Sequence, residues 1–201
     1  MALATPPRMS RLLVAYASTH GQTRAIAEAI AGRLRAAGHA VDLADVEAGR
    51  PPPPDGYDAV VLGSRVKFGA HARALTRYVA AHRAALGSRP AAFFSVSMSA
   101  AQANAGPDPH DYMAKLFAQV GWRPTRAVAF GGALAYRRYN WLLRAFMKRL
   151  SRAGGHSTDT SRDHVYTDWA AVERFADGFA ADLGQRPSTP APASISASAR
   201  P

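Results

Sequence analysis

The chain has 201 residues and no cysteine. It is long enough for one domain with a full core, and it excludes a disulfide framework, a thiolate metal site and a thiol nucleophile. The formal net charge of +11, from 25 Lys and Arg against 14 Asp and Glu, leaves two readings open: an arginine-rich composition, or attraction to nucleic acid, an anionic lipid surface or an acidic substrate.

No apolar run reaches the roughly 18–20 residues of a membrane span. The opening MALATPPRMS has two prolines and no apolar h-region, so it is not expected to be a signal peptide. Residues 1–10 are expected to be a flexible N-terminus, and 11–184 a single domain. RLLVAYA (11–17) is continuous and apolar, which predicts a strand buried on both faces. Residues 22–37 follow with Ile26, Ala29, Ile30 and Leu34 at helical spacing, and Gly38 is a C-terminal stop. HAVDLADV (39–46) alternates like a more exposed strand, RPPPPDG (50–56) is a rigid loop, and YDAVVLGS (57–64) is a second buried strand. A helix over 71–86 is broken by the stretch from Gly87 to Pro90, and AAFFSVS (91–97) is a third buried strand. A helix over 108–122 takes Asp108 as cap and Pro109 as first residue. RAVAFGGAL (126–134) is another apolar strand, 137–152 has helical spacing, HVYTDW is extended, and 168–183 is a closing helix capped by Thr167 or Asp168. From Gln185 onward Pro, Ala and Ser dominate, the composition of a disordered tail.

Strands alternating with helices imply a parallel sheet covered on both faces. Ligands of such sheets lie beyond the carboxyl ends of the strands, at a switch point. The loops at 18–23, 64–70, 97–107 and 132–137 are therefore expected to converge. The first is Ser18-Thr19-His20-Gly21-Gln22-Thr23, at a strand end and a helix N-terminus. Backbone N–H groups there lack intrahelical partners and the helix dipole is positive. A cap needs one hydroxyl and this loop has three, with Gly21 allowing close backbone approach, so it forms a cradle for a phosphate. Neither a Gly-x-x-x-x-Gly-Lys-Ser/Thr nor a Gly-x-Gly-x-x-Gly pattern is present, which argues against a P-loop hydrolase and a dinucleotide fold. A hydroxyl-rich loop without Lys or Arg suits a terminal phosphate monoester.

Ser-Thr-x-Gly-x-Thr after the first strand of such a sheet resembles the FMN-phosphate loop of the flavodoxin family. The segments GQTRAIAEAIAGRL, YDAVVLGSRVKFGAH, AFFSVSMSA, GWRP…GGALAYRRYNWLLRAFMKRLS and TDT…VYTDWAAVERFA resemble, in the same order, those of the bacterial quinone-dependent protoporphyrinogen IX dehydrogenases, a branch of that family. The resemblance implies a flavodoxin-like three-layer α/β sandwich, with a five-stranded parallel sheet of order 2-1-3-4-5 and a basic helical insertion after the last strand. It implies FMN held by Ser18, Thr19, His20, Gly21, Gln22 and Thr23. The isoalloxazine ring would be bordered by Ser64, Arg65, Val66, Lys67, Phe68 and Gly69 on one side and by Ser97, Met98, Ser99 and Ala100 on the other. It further implies protoporphyrinogen IX as substrate and a quinone, menaquinone or ubiquinone, as acceptor in haem biosynthesis, with no residue other than the flavin doing the redox chemistry.

The charge has a location. Between Asp111 and Asp159 there is no acidic residue. On a helix over 137–152, Tyr139, Leu142, Leu143, Phe146, Met147 and Leu150 fall on one arc at about 100° per residue, opposite Arg138, Arg144, Lys148, Arg149 and Arg152. This basic amphipathic segment either packs its apolar arc on the protein's own sheet or lies on an anionic membrane surface, where Trp141 suits the interface. The second choice places the protein at the cytoplasmic face of a bacterial membrane. Arg65, Lys67, Arg137 and Arg138 are candidates to meet substrate carboxylates. His20, His71 and His110 lie in or near the loops and are read as solvated side chains; no His, Asp and Glu set has metal-ligand spacing. The competing functions are a carrier flavodoxin, an NAD(P)H:quinone reductase of related fold, and an arginine-rich nucleic-acid binder. The last is disfavoured because no nucleic-acid module is recognisable. A homo-oligomer is left open.

Overall fold

The computed structural model describes residues 9–101, 108–134 and 164–185. Five parallel strands form the main sheet: β1 (Arg11–Ala17), β2 (Ala40–Asp45), β3 (Ala59–Lys67), β5 (Ala91–Ser97) and β6 (Arg126–Gly131), in the spatial order β2-β1-β3-β5-β6. In sequence terms this is 2-1-3-4-5, as expected. Register runs through Leu12↔Val41, Leu12↔Ala59, Leu62↔Phe93 and Phe93↔Ala127.

The strands are apolar throughout because each buries alternate residues in two cores. Leu12, Val14 and Tyr16 of β1 join Val61, Phe94 and Phe130 under α1 (Gln22–Ala36) and α5 (Trp169–Gly184). Leu13, Ala15 and Ala17 join Val60, Leu62 and Phe93 under α2 (Arg73–Ala81), α3 (Arg83–Gly87) and α4 (Pro109–Val120). At the surface α1 and α5 are tied by Arg33, whose guanidinium donates to both oxygens of Asp177 at 2.9 and 2.7 Å. The α4 termini follow the sequence signals: Asp108 Oδ1 accepts from the His110 N–H at 2.8 Å, and Gly121 closes the helix at φ +64°.

Three boundaries differ from the sequence expectation. Strand β3 runs on to Lys67, because Val66 and Lys67 pair antiparallel with His71 and Ala70 of the short β4 (Ala70–His71). The 71–86 helix divides at His82, whose φ of −110° and ψ of 20° turn the chain so that α3 buries Leu86. The 126–134 strand stops at Gly131. After Gly132 the chain leaves the main sheet, and β7 (Ala133–Leu134) pairs antiparallel with β8 (His164–Val165). Of the two expected caps of α5 it is Asp168 that serves, accepting from the Ala171 N–H at 3.1 Å. Thr167, the other candidate cap, is turned inward. The predicted 137–152 helix, with Arg137, Arg138, Trp141, Arg144 and Lys148, lies outside the described residues, as do the flanking 1–8 and 186–201. Among the described residues no helix is long and apolar enough to cross a membrane.

Candidate functional site at the carboxyl edge of the sheet

Strands β1, β3 and β5 end side by side, and the segments that follow them carry the sequence-predicted site residues. After β1, Ser18 is half-buried and Thr19 and His20 are exposed. Gly21 then enters α1 at φ +94° and ψ −20°, a region in which a Cβ is strained and glycine is not. The Ser18 Oγ accepts from the Gly21 N–H at 3.2 Å, which holds the turn closed. No side chain of the cap residue satisfies the first turn of α1, and no acidic residue lies in that turn. Uncapped N–H groups and the dipole therefore point outward at a place that favours an anion. Thr23 is buried at the base of this turn. The one cation in it, Arg24, is turned to Glu28 at 2.8 Å.

Gln22 has a structural task. Its Nε2 donates to Thr167 Oγ1 at 2.8 Å, and that hydroxyl donates to the Gly131 carbonyl at 2.7 Å. The anion-favouring turn is thereby braced to the end of β6 and to the chain entering α5. The brace requires glycine at 131, because a Cβ there would lie 2.5 Å from the Tyr166 carbonyl oxygen. The Tyr166 N–H donates to the Gly132 carbonyl at 3.1 Å, so the extended VYTDW segment crosses β6 at the only kind of residue that admits it.

After β3, residues 64–70 are a hairpin and not an open loop. Phe68 and Gly69 form its two-residue turn with φ of 51° and 76°, the positive pair of a type I′ turn. Phe68 is 92% exposed at the tip, with the Lys67 ammonium 5.3 Å from its ring centroid. Arg65 is held by Glu47 at 2.8 Å. Ser64 is buried, and its hydroxyl donates to the Arg65 carbonyl and accepts from the Ala72 N–H, both at 3.1 Å. It fastens the base of the hairpin to the start of α2. Val66 is half-buried beside it.

After β5, the Ser97 Oγ accepts from the Ala100 N–H at 3.1 Å and the Ser97 carbonyl accepts from the Gly132 N–H at 2.9 Å. Met98 packs near Gly132, whose added Cβ would lie 3.5 Å from its sulfur. The hydroxyls of Ser99 and Tyr112 lie 3.5 Å apart, joining this turn to α4. Met98, Ser99 and Ala100 are all half-buried.

The structure therefore brings 18–23, 64–69 and 97–100 to one edge of the sheet. Sequence reasoning missed Thr167, whose bonds span 145 and 36 positions; its place beside the last helix suggested only a cap. It also misjudged His71. That ring is 8% exposed and packs edge-on to Phe93 at 5.4 Å. Burial pushes its pKa down to about 4, with a hydrogen bond to the Tyr112 backbone opposing.

The flavodoxin domain family model matches residues 13–161. The protoporphyrinogen IX dehydrogenase [quinone] of Escherichia coli strain K12 is 35% identical over 167 residues, covering 83% of this chain and 92% of that protein. The protein of the same name from Leishmania major is 35% identical over 173 residues, covering 85% of this chain and 75% of its own length. Among solved structures, oxidised flavodoxin 1 from Bacillus cereus superposes with a TM-score of 0.52 at 16% identity, covering 85% of this chain and 97% of that one. A flavodoxin from the domain Archaea gives 0.51 at 15% identity, covering 86% and 98%. These two likenesses are of fold.

Proposed function

We propose, from the premise that this chain belongs to the flavodoxin domain family, that it is an FMN-dependent dehydrogenase oxidising protoporphyrinogen IX to protoporphyrin IX with a quinone as acceptor. The observation that carries the reading is 35% identity sustained over 83% of the chain to curated dehydrogenases of that name. The local geometry fits the cofactor. The first turn of α1 is uncapped, free of carboxylates and entered through a left-handed glycine, as a phosphate monoester requires.

In this reading the backbone N–H groups at the start of α1, with the hydroxyls of Ser18 and Thr19, bind the FMN phosphate. Gln22 and Thr167 fix the turn that presents them. The β3–β4 hairpin and the 97–100 turn border the ring and exclude water from one edge. Lys67 adds positive charge at the hairpin tip, while Arg65 is paired with Glu47. The chemistry that FMN supplies when bound is transfer of electron pairs from the reduced macrocycle to the quinone. The protein's contribution in this reading is to position the flavin and the substrate and to tune the flavin.

The net charge of +11 supports the further part of the proposal, that the enzyme works as a peripheral protein on an anionic membrane surface, where a lipid-soluble quinone resides. Pelleting with anionic vesicles should weaken when Arg144, Lys148 and Arg152 are changed to Ala, and unchanged pelleting counts against a role for that segment.

The test of function is anaerobic mixing of FMN-loaded protein with protoporphyrinogen IX, with and without a soluble menaquinone analogue, following porphyrin fluorescence. Porphyrin should form at catalytic turnover only when quinone is present. Failure to take up FMN, or porphyrin formation no faster than in flavin-free controls, refutes the assignment.

A further inference from the structure

Behind the β3–β4 hairpin a groove of about 680 Å³ runs between α2 and α4. Arg73 and Arg77, one turn apart on α2, form one wall, and Lys115 and Gln119, one turn apart on α4, form the other. No acidic residue is among its lining residues. The ion pairs among the described residues involve other cations, so Arg73, Arg77 and Lys115 have no carboxylate partner there. The buried ring of His71 lines the same groove. A smaller recess of about 360 Å³ shares Ala70, His71 and Arg73 with it and continues to Lys67 and the exposed ring of Phe68.

Three cations without a counter-ion among the described residues, around one concave surface, make a site for an anion. Side chains at i and i+4 on a helix stand about 5–6 Å apart, so Arg73 and Arg77 present two planar guanidinium forks side by side. That pair matches two carboxylates carried on one edge of a ligand better than it matches a single anion. The recess leads from this pair to an apolar ring at the hairpin tip, which suits a ligand whose carboxylates are attached to a broad apolar body.

We propose that this groove binds the two propionate carboxylates of the tetrapyrrole, with Arg73, Arg77 and Lys115 as specificity-determining residues. The inference rests on the porphyrinogen reading above for the identity of the dicarboxylate. The hairpin then separates the two ends of the substrate: carboxylates behind it, macrocycle at its tip beside the carboxyl edge of the sheet.

The test compares wild type with the R73Q/R77Q/K115Q variant and with K115Q alone, all loaded with FMN. Equilibrium binding of protoporphyrin IX and of its dimethyl ester is followed by porphyrin fluorescence. All three substituted side chains are exposed, so FMN content and Tm should match wild type. These contacts are solvent-exposed and screened, so the triple variant should bind the diacid at least about tenfold more weakly and K115Q a few-fold more weakly. The diester should bind all three proteins alike, and KM should rise with kcat held. If wild type oxidises protoporphyrinogen while the triple variant binds the diacid as wild type does, the groove assignment is wrong and the function stands. If wild type neither binds porphyrin nor oxidises its reduced form, the functional reading falls and the groove assignment falls with it.

Discussion

Thr167→Val is the sharpest probe of how the anion-favouring turn is held. Valine keeps the volume and the branching of the side chain and removes only the hydroxyl. That hydroxyl donates to the Gly131 carbonyl at 2.7 Å and accepts from Gln22 at 2.8 Å. Gly131 is buried, and a buried carbonyl that loses its donor costs about 1–3 kcal/mol. Gln22 is half-buried, so its amide recovers a bond to water and adds only about 0.5 kcal/mol. The expected destabilisation of the flavin-free protein is about 2 kcal/mol, which at a urea m-value of about 2 kcal/mol/M lowers the midpoint by about 1 M. A double-mutant cycle with Gln22→Ala should give a coupling of about 0.5–1 kcal/mol, since the two side chains share one bond. FMN should bind more weakly to T167V than to wild type, because the turn loses its tie to β6. A midpoint within about 0.2 M of wild type, with no coupling to Gln22, would refute the brace.

Three further outcomes follow from the geometry. Gly63→Ala places a methyl 2.0 Å from Cζ of the fully buried Phe94, so it should cost about 3 kcal/mol by overpacking, and G63A/F94L should recover part of the lost Tm. Gly21→Ala forces a Cβ into φ +94° at a cost of about 1–2 kcal/mol; fluorescence titration should show FMN affinity lowered about five- to thirty-fold, with the absorbance spectrum of bound flavin unchanged. His71 sits at about 4 in the fold against 6.5 when unfolded, so the unfolded chain binds the extra proton between those values. Its contribution is fully present above pH 6.5, drains away as pH falls toward 4, and amounts to on the order of 3 kcal/mol. His39 is shifted down by burial as well and loses stability in the same direction. The difference between wild type and His71→Leu in acid-limb urea midpoints isolates the His71 share, and identical limbs would overturn it.

The parallel sheet was legible because strands buried on both faces must be apolar without interruption, as LLVAYA and AAFFSVS are. The anion-favouring turn was legible because its signal is local: a strand end, a glycine and hydroxyls within six residues. The hairpin was not, since a type I′ turn is signalled by Asn-Gly or Gly-Gly and here Phe68 occupies a positive φ. The burial of His71 depends on Phe93 and on α4 arriving from elsewhere in the chain, and the groove beside it exists only once α2 and α4 stand opposite each other. Contacts of that range leave no mark in local composition.

The short β7–β8 ladder has a consequence for chain closure. Leu134 and His164 sit opposite each other, so the chain departs and returns through neighbouring points, with its polypeptide ends already clamped. Closing a stretch between fixed points grows only logarithmically more costly with length, about 0.6 kcal/mol per doubling. The ladder therefore fixes where the chain leaves β6 and where it comes back toward α5, and the register of the main sheet does not depend on the length of chain between those two points.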